Sequence, residues 1–127
     1  MEVVEYTDPT CSWAWGSEPK IRRLAWCYGD ALSRRRVMGG LLGPDWPKDL
    51  GVEDTVAYFS DPVWLTRSAG YHAKVTEVTG MPFPGRLERL PLSSYPTCRA
   101  VKAAERQGHE VAGRLLRRFR EDWDVFG

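Results

Sequence analysis

Residues 2–19 read EVVEYTDPTCSWAWGSEP, and the order of their parts decides the fold. Glu2 to Tyr6 is a short β-prone run, and the turn cluster Thr7-Asp8-Pro9-Thr10 must end it. A helix then opens at Cys11 or Ser12 and is predicted to run to Tyr28, stopping at Gly29-Asp30. A strand that feeds through a loop straight into a helix is the opening of an α/β unit. Pro19 lies inside the helix, where it removes one backbone hydrogen bond and forces a kink or a restart. Either outcome leaves a short first turn presenting Cys11. Ile21, Leu24, Ala25 and Tyr28 share one stripe at helical spacing, which should pack on a sheet.

Working outward, Arg34 to Leu42 reads as a second strand ending in Gly39-Gly40-Leu41-Leu42. Its crossover from the first is long enough to be parallel and right-handed. Beyond the loop Gly43-Pro44-Asp45-Trp46-Pro47 only helices are expected. Asp54 to Phe59 is a short one, and Asp61-Pro62 caps another that runs from Pro62 to Thr79 and ends at Gly80. Met81 to Leu92 is rich in proline and glycine and reads as irregular. Tyr95-Pro96 opens a helix to Gln107, and His109 to Trp123 forms the last. Two strands do not make a stable parallel sheet alone. The fold is therefore expected to be incomplete as written, or its sheet to be completed by another chain.

A chain of 127 residues suffices for one domain with a real core and is short for two independent ones. Its net charge of +1 gives no global attraction to nucleic acid or to an anionic membrane, so neither is expected as a partner. Basic residues cluster locally, in Arg34-Arg35-Arg36 and in Arg114, Arg117, Arg118 and Arg120, and both groups read as solvated faces. The opening MEVVEY has the pattern of neither a secretory signal nor a membrane anchor. A cytoplasmic protein is expected, its three cysteines reduced thiols rather than a disulfide framework.

Cys11 is the candidate site. A cysteine at a helix start faces unpaired backbone N–H groups, which favour the thiolate over the thiol. Pro9, Trp13 and Trp15 would line an apolar groove around it, suited to gripping a peptide or a small thiol compound. A dithiol oxidoreductase needs a resolving cysteine three positions on, and that position is Ala14. Cys11 can thus form a mixed disulfide without resolving it internally. Cys27 lies too far along the same helix to substitute, and both Cys27 and Cys98 read as small core residues. Asp8 and Glu18 flank the thiol and read as caps or dipole partners before proton shuttles. His72 and His109 have no ligand partners at suitable spacing, so no metal site is expected.

Asp8-Pro9-Thr10-Cys11-Ser12-Trp13-Ala14-Trp15-Gly16-Ser17-Glu18-Pro19, followed by Tyr28-Gly29 and Val37-Met38-Gly39-Gly40-Leu41-Leu42, resembles the opening of DsbA-family thioredoxin-like proteins. The likeness is to the FrnE-like branch, which also contains ClpXP adaptors of the YjbH kind. There the motif reads Cys-x-x-Cys-Trp, so Cys11 aligns with the nucleophile and Ala14 departs from the resolving cysteine. Thr79-Gly80-Met81-Pro82-Phe83 and the stretch from Ser93 to Ala104 resemble the helical domain that the family inserts into its fold. The resemblance implies an α/β thioredoxin-like fold of DsbA type, with a β-α-β part over residues 1–43 and a helical insertion over 44–127. It also implies two further strands, the first led by a cis-proline, which nothing here supplies; Pro96 falls in the insertion instead.

The function these features imply is that of a monothiol disulfide oxidoreductase, exchanging with a protein or small-molecule disulfide or thiol. No resident cofactor is implied beyond glutathione or another low-molecular-weight thiol. A non-catalytic adaptor that keeps the groove to hold a protein, and a FrnE-like isomerase using a bound thiol cofactor, are the alternatives.

Overall fold

The computed structural model describes residues 1–46, 48–85 and 93–126. Strand β1 (Glu2–Thr7) leads into α1 (Ser12–Gly16) and α2 (Glu18–Tyr28), and β2 (Ser33–Met38) follows a short 3-10 turn at Gly29–Ala31. The other elements among the described residues are helical: a 3-10 turn at Lys48–Leu50, α3 (Thr55–Ser60), α4 (Pro62–Thr79), α5 (Tyr95–Ala104) with a 3-10 extension at Glu105–Gln107, and α6 (His109–Asp124). Among the described residues the sheet has two strands, paired in parallel with Val3 opposite Arg34, Glu5 opposite Arg36 and Thr7 opposite Met38.

Local chemistry explains most element ends. Asp61 accepts from the backbone N–H of Val63 at 2.7 Å and of Trp64 at 3.1 Å, Pro62 occupies the first turn, and Gly80 closes α4 in the left-handed conformation. Such a cap contributes about 1 kcal/mol. Asp54 caps α3 likewise, through the N–H of Ala57. Pro19 produces a restart rather than a kink. α1 ends after Gly16, Ser17 serves both helices, and Pro19 sits in the first turn of α2 where its missing N–H costs nothing. The second strand is shorter than its sequence suggests, because the backbone leaves the sheet at Gly39. Met81 to Gly85 has no regular structure, and the rest of the irregular stretch lies outside the described residues.

The main core lies where α5 and α6 meet β2: Val101, Ala104, Ala112 and Leu116, with Met38, Val111, Leu115 and Phe119 against them. Trp46, Phe59 and Trp64 form a second cluster, Trp46 stacked on Phe59 at 5.1 Å and Phe59 edge-to-face with Trp64 at 4.9 Å between ring centroids. α1 comes so close to α4 that a Cβ on Gly16 would stand 2.6 Å from the Thr79 methyl carbon.

Two sequence expectations fail, both by burial. The stripe on α2 does not pack on the sheet: no residue of α2 is buried, and Leu24 and Tyr28 are exposed. Arg36 and Arg120 are not part of solvated faces but lie 6% and 1% exposed. Along α6 the buried positions are Ala112, Leu116, Arg120 and Asp124, one i,i+4 stripe whose lower half is ionic. Arg120 donates to Glu18 at 2.7 Å and to the Thr7 hydroxyl, and stands 3.7 Å from Glu5, which in turn pairs with Arg36 at 3.4 Å. This network joins the last helix to both strands and to the start of α2.

Candidate functional site

β1 delivers its chain to a loop whose anchor is Asp8. The carboxylate is 3% exposed and accepts from the Thr10 N–H at 2.9 Å, the Thr10 hydroxyl at 2.7 Å, the Leu41 N–H at 2.8 Å and the Ser94 hydroxyl at 2.9 Å. The Cys98 thiol lies 3.4 Å away and donates as well. Burial works to raise the Asp8 pKa, but the bonds from Leu41, Thr10 and Ser94 together outweigh it and hold the group below its ordinary value. Burial, and then the Asp8 charge, push the Cys98 thiol up, so it serves as donor. Asp8 is therefore a joint between the β1–α1 loop, the segment after β2 and the start of α5.

Beside this joint Cys11 is the N-cap of α1, half-buried, with its N–H bonded to the Asp8 carbonyl at 3.3 Å. α1 has only five residues, so it offers Cys11 one turn of free N–H groups rather than the summed dipole of a long helix. An open groove of about 560 Å³ runs along the end of β1 past Cys11, lined by Tyr6, Trp13, Ala14, Ile21 and Leu41 among others. Ala14 thus shares the groove with Cys11.

The structure corrects two of the expected groove residues. Trp15 points inward: it is 2% exposed, donates its indole N–H to the Pro82 carbonyl at 3.0 Å and carries the Arg117 guanidinium 5.5 Å above its ring. Residues two apart on a helix face nearly opposite sides, so only Trp13, 43% exposed, reaches the groove. Pro9 is fully buried and does not line it. Glu18 turns to Arg120 and Arg117 rather than to the thiol. Cys27 is exposed rather than part of a core, while Cys98 is buried; all three cysteines are free.

Tyr71 of α4 stands near Cys11 without lining the groove, and it gave no local sequence signal. Burial, then the neighbouring Cys11, push its hydroxyl up, against the effect of contacts with Trp13 and Ser12. Buried His72 next to it is held below its ordinary pKa by desolvation and stacks on Phe83 at 5.2 Å. Among the described residues no group of three or more His, Cys, Asp or Glu is placed to hold a metal ion.

Asp124 ends the ionic stripe. It is 1% exposed, neither carboxylate oxygen has a hydrogen-bond partner among the described residues, and burial outweighs the pull of Arg120, raising its pKa to about 7. The folded chain thus keeps a proton that the unfolded chain releases near the ordinary aspartate value of 3.8. Stability should fall as pH rises from about 4 to about 7 and then level off. Asp124→Asn should flatten this slope and be the more stable protein at pH 8, by up to about 4 kcal/mol. Urea unfolding from pH 4 to 8 reads it, and equal slopes for both proteins would refute it.

Three comparisons with known proteins agree with this geometry. The thioredoxin family model matches residues 5–125. ClpXP adapter protein SpxH of Shouchella clausii is 29% identical over 121 residues, covering 95% of this chain and 37% of the adapter. The protein of the same name from Halalkalibacterium halodurans is 33% identical over 123 residues, covering 95% and 38%. The chain thus spans under two-fifths of these relatives. A putative protein disulfide isomerase from Nitrosomonas europaea superposes with a TM-score of 0.73 at 20% identity, over 98% of this chain and 55% of that one. Cytosolic disulfide reductase DsbM from Pseudomonas aeruginosa does so at 0.65 and 22%, over 100% and 56%. No helix among the described residues is long and apolar enough to cross a membrane. With the thioredoxin family model matched along nearly the whole sequence and its fold shared with these two solved structures, the chain belongs to the thioredoxin family.

Proposed function

We propose that this protein is a single-thiol disulfide-exchange protein with Cys11 as its reactive group. One observation carries the reading: Cys11 opens on a largely apolar groove that Ala14, three residues on, also lines. The Cys11 thiolate attacks one sulfur of a disulfide, forming a mixed disulfide and releasing the other half as a thiolate. An external thiol must then attack the mixed disulfide, regenerating Cys11 and leaving as the new disulfide. A protein partner or a small thiol such as glutathione fits the groove, and the DsbM structure is also known with GSH. A cytoplasmic location belongs to the same reading, as do completion of the sheet from outside residues 1–127 and the division into a β-α-β part (1–43) and a helical part (44–127).

Exposure to oxidised glutathione tests it. A glutathionyl adduct is expected on Cys11 about tenfold faster than on exposed Cys27, mapped by mass after proteolysis. Ala14→Cys should release the adduct as an internal disulfide. Equal labelling of the two cysteines would sink the proposal.

The curated relatives favour a second reading, since they are named ClpXP adapters. In that reading the groove holds a protein without exchange. Cys11→Ser then leaves partner binding intact, whereas exchange requires the sulfur.

A further inference from the structure

We propose that the cleft between α2, β2 and α6 binds a small polyanion, carrying phosphate or clustered carboxylate groups. The cleft holds about 240 Å³, and an adjoining one of about 310 Å³ shares Ala25, Arg34, Arg36, His109 and Glu110 with it. It is separate from the Cys11 groove, with which it shares only Glu5 and Ile21.

Its charge is strongly one-sided. Arg22, Arg34, Arg36, Arg114, Arg117 and Arg120 line it against three carboxylates, Glu5, Glu18 and Glu110, and with Glu121, which pairs with Arg117 at 2.7 Å from outside the lining, an excess of two positive charges remains. Glu18 is already shared between Arg120 and Arg117, and Glu5 between Arg36 and Arg120. Arg34 is half-buried beside Arg36, and among the described residues no carboxylate lies within 4.0 Å of it. A cation in that position raises the free energy of the empty cleft, and an anion would offset the cost.

The donors are also in place. Arg36 and Arg120 are each buried and fixed in place, Arg36 with its Nε 3.4 Å from Glu5 and Arg120 between Glu18 and Glu5. Gly113 lets Arg36 lie flat against α6: a Cβ there would stand 3.1 Å from its Nη2, and the guanidinium reaches the His109 carbonyl at 3.3 Å. Rigidly held guanidinium forks match phosphate and carboxylate oxygens two at a time, which a mobile lysine does not.

The test titrates the whole chain with sodium pyrophosphate and, separately, with citrate at constant ionic strength, followed by calorimetry. Saturable binding of either anion with a dissociation constant below about 1 mM is expected, and which one binds tells phosphate from carboxylate chemistry. R34Q should weaken it by about tenfold or more. R35Q should leave it unchanged, because Arg35 lies on the opposite face of the sheet, paired with Glu2. No saturable heat up to about 10 mM of either anion, or equal weakening by the two variants, would overturn the proposal.

Discussion

Arg120→Met is expected to lower the unfolding free energy by about 3–5 kcal/mol. The guanidinium is the centre of the network: its removal leaves Glu18 without its 2.7 Å donor, strips the Thr7 hydroxyl and uncovers one side of Glu5. Burying an ion pair contributes little net stability, because desolvation cancels most of the attraction; breaking one from a single side is costly, because the other charge stays behind. Adding Glu18→Gln to Arg120→Met should therefore recover part of the loss, although two native groups are then gone. Urea denaturation of the three proteins checks this. A loss below about 1 kcal/mol for the single variant, the size of a surface pair, would show that the network is more hydrated than the structure indicates.

Asp8→Ala should do damage of similar size, about 3–5 kcal/mol, by another route. It leaves the N–H groups of Leu41 and Thr10 and the Ser94 hydroxyl to find new acceptors in a region almost closed to water. Asp8→Asn separates shape from charge: it keeps the outline but turns an amide toward donors. The native group has a depressed pKa, so its contribution is present above about pH 4 and is lost as pH falls through the lower folded value. The Asn variant should lack that acid limb. If Asp8→Ala unfolds at the same urea concentration as the parent at neutral pH, the joint is ornamental.

Both predictions concern residues that sequence reasoning placed poorly, for one reason. Elements governed by neighbours in sequence were legible: Asp61, Pro62 and Gly80 announce α4, and it runs between them. Pro19 announced a disturbance, and its own preference for a first turn made that disturbance a restart at Ser17. Arg36 and Arg120 looked like surface charge because their partners are remote; Glu5 and Arg120 are brought together only by the fold. The i,i+4 continuation from Ala112 and Leu116 did carry the signal for Arg120, though charge on a helix is usually solvated. At the site Cys11, Trp13 and Ala14 stand together on the groove. Trp15 left it because α1 turns it inward.

The Asp8 joint also has a bearing on synthesis. Its acceptors and donors lie at residues 8, 41, 94 and 98, so the loop before Cys11 cannot be locked until the start of α5 has been made and docked. At ordinary rates of translation that delay is on the order of ten seconds. Through that interval the nascent chain displays an ordinary, unpositioned thiol to whatever redox partners surround it. On the exchange function proposed above, the selectivity of Cys11 would be a property acquired late, when the helical half arrives.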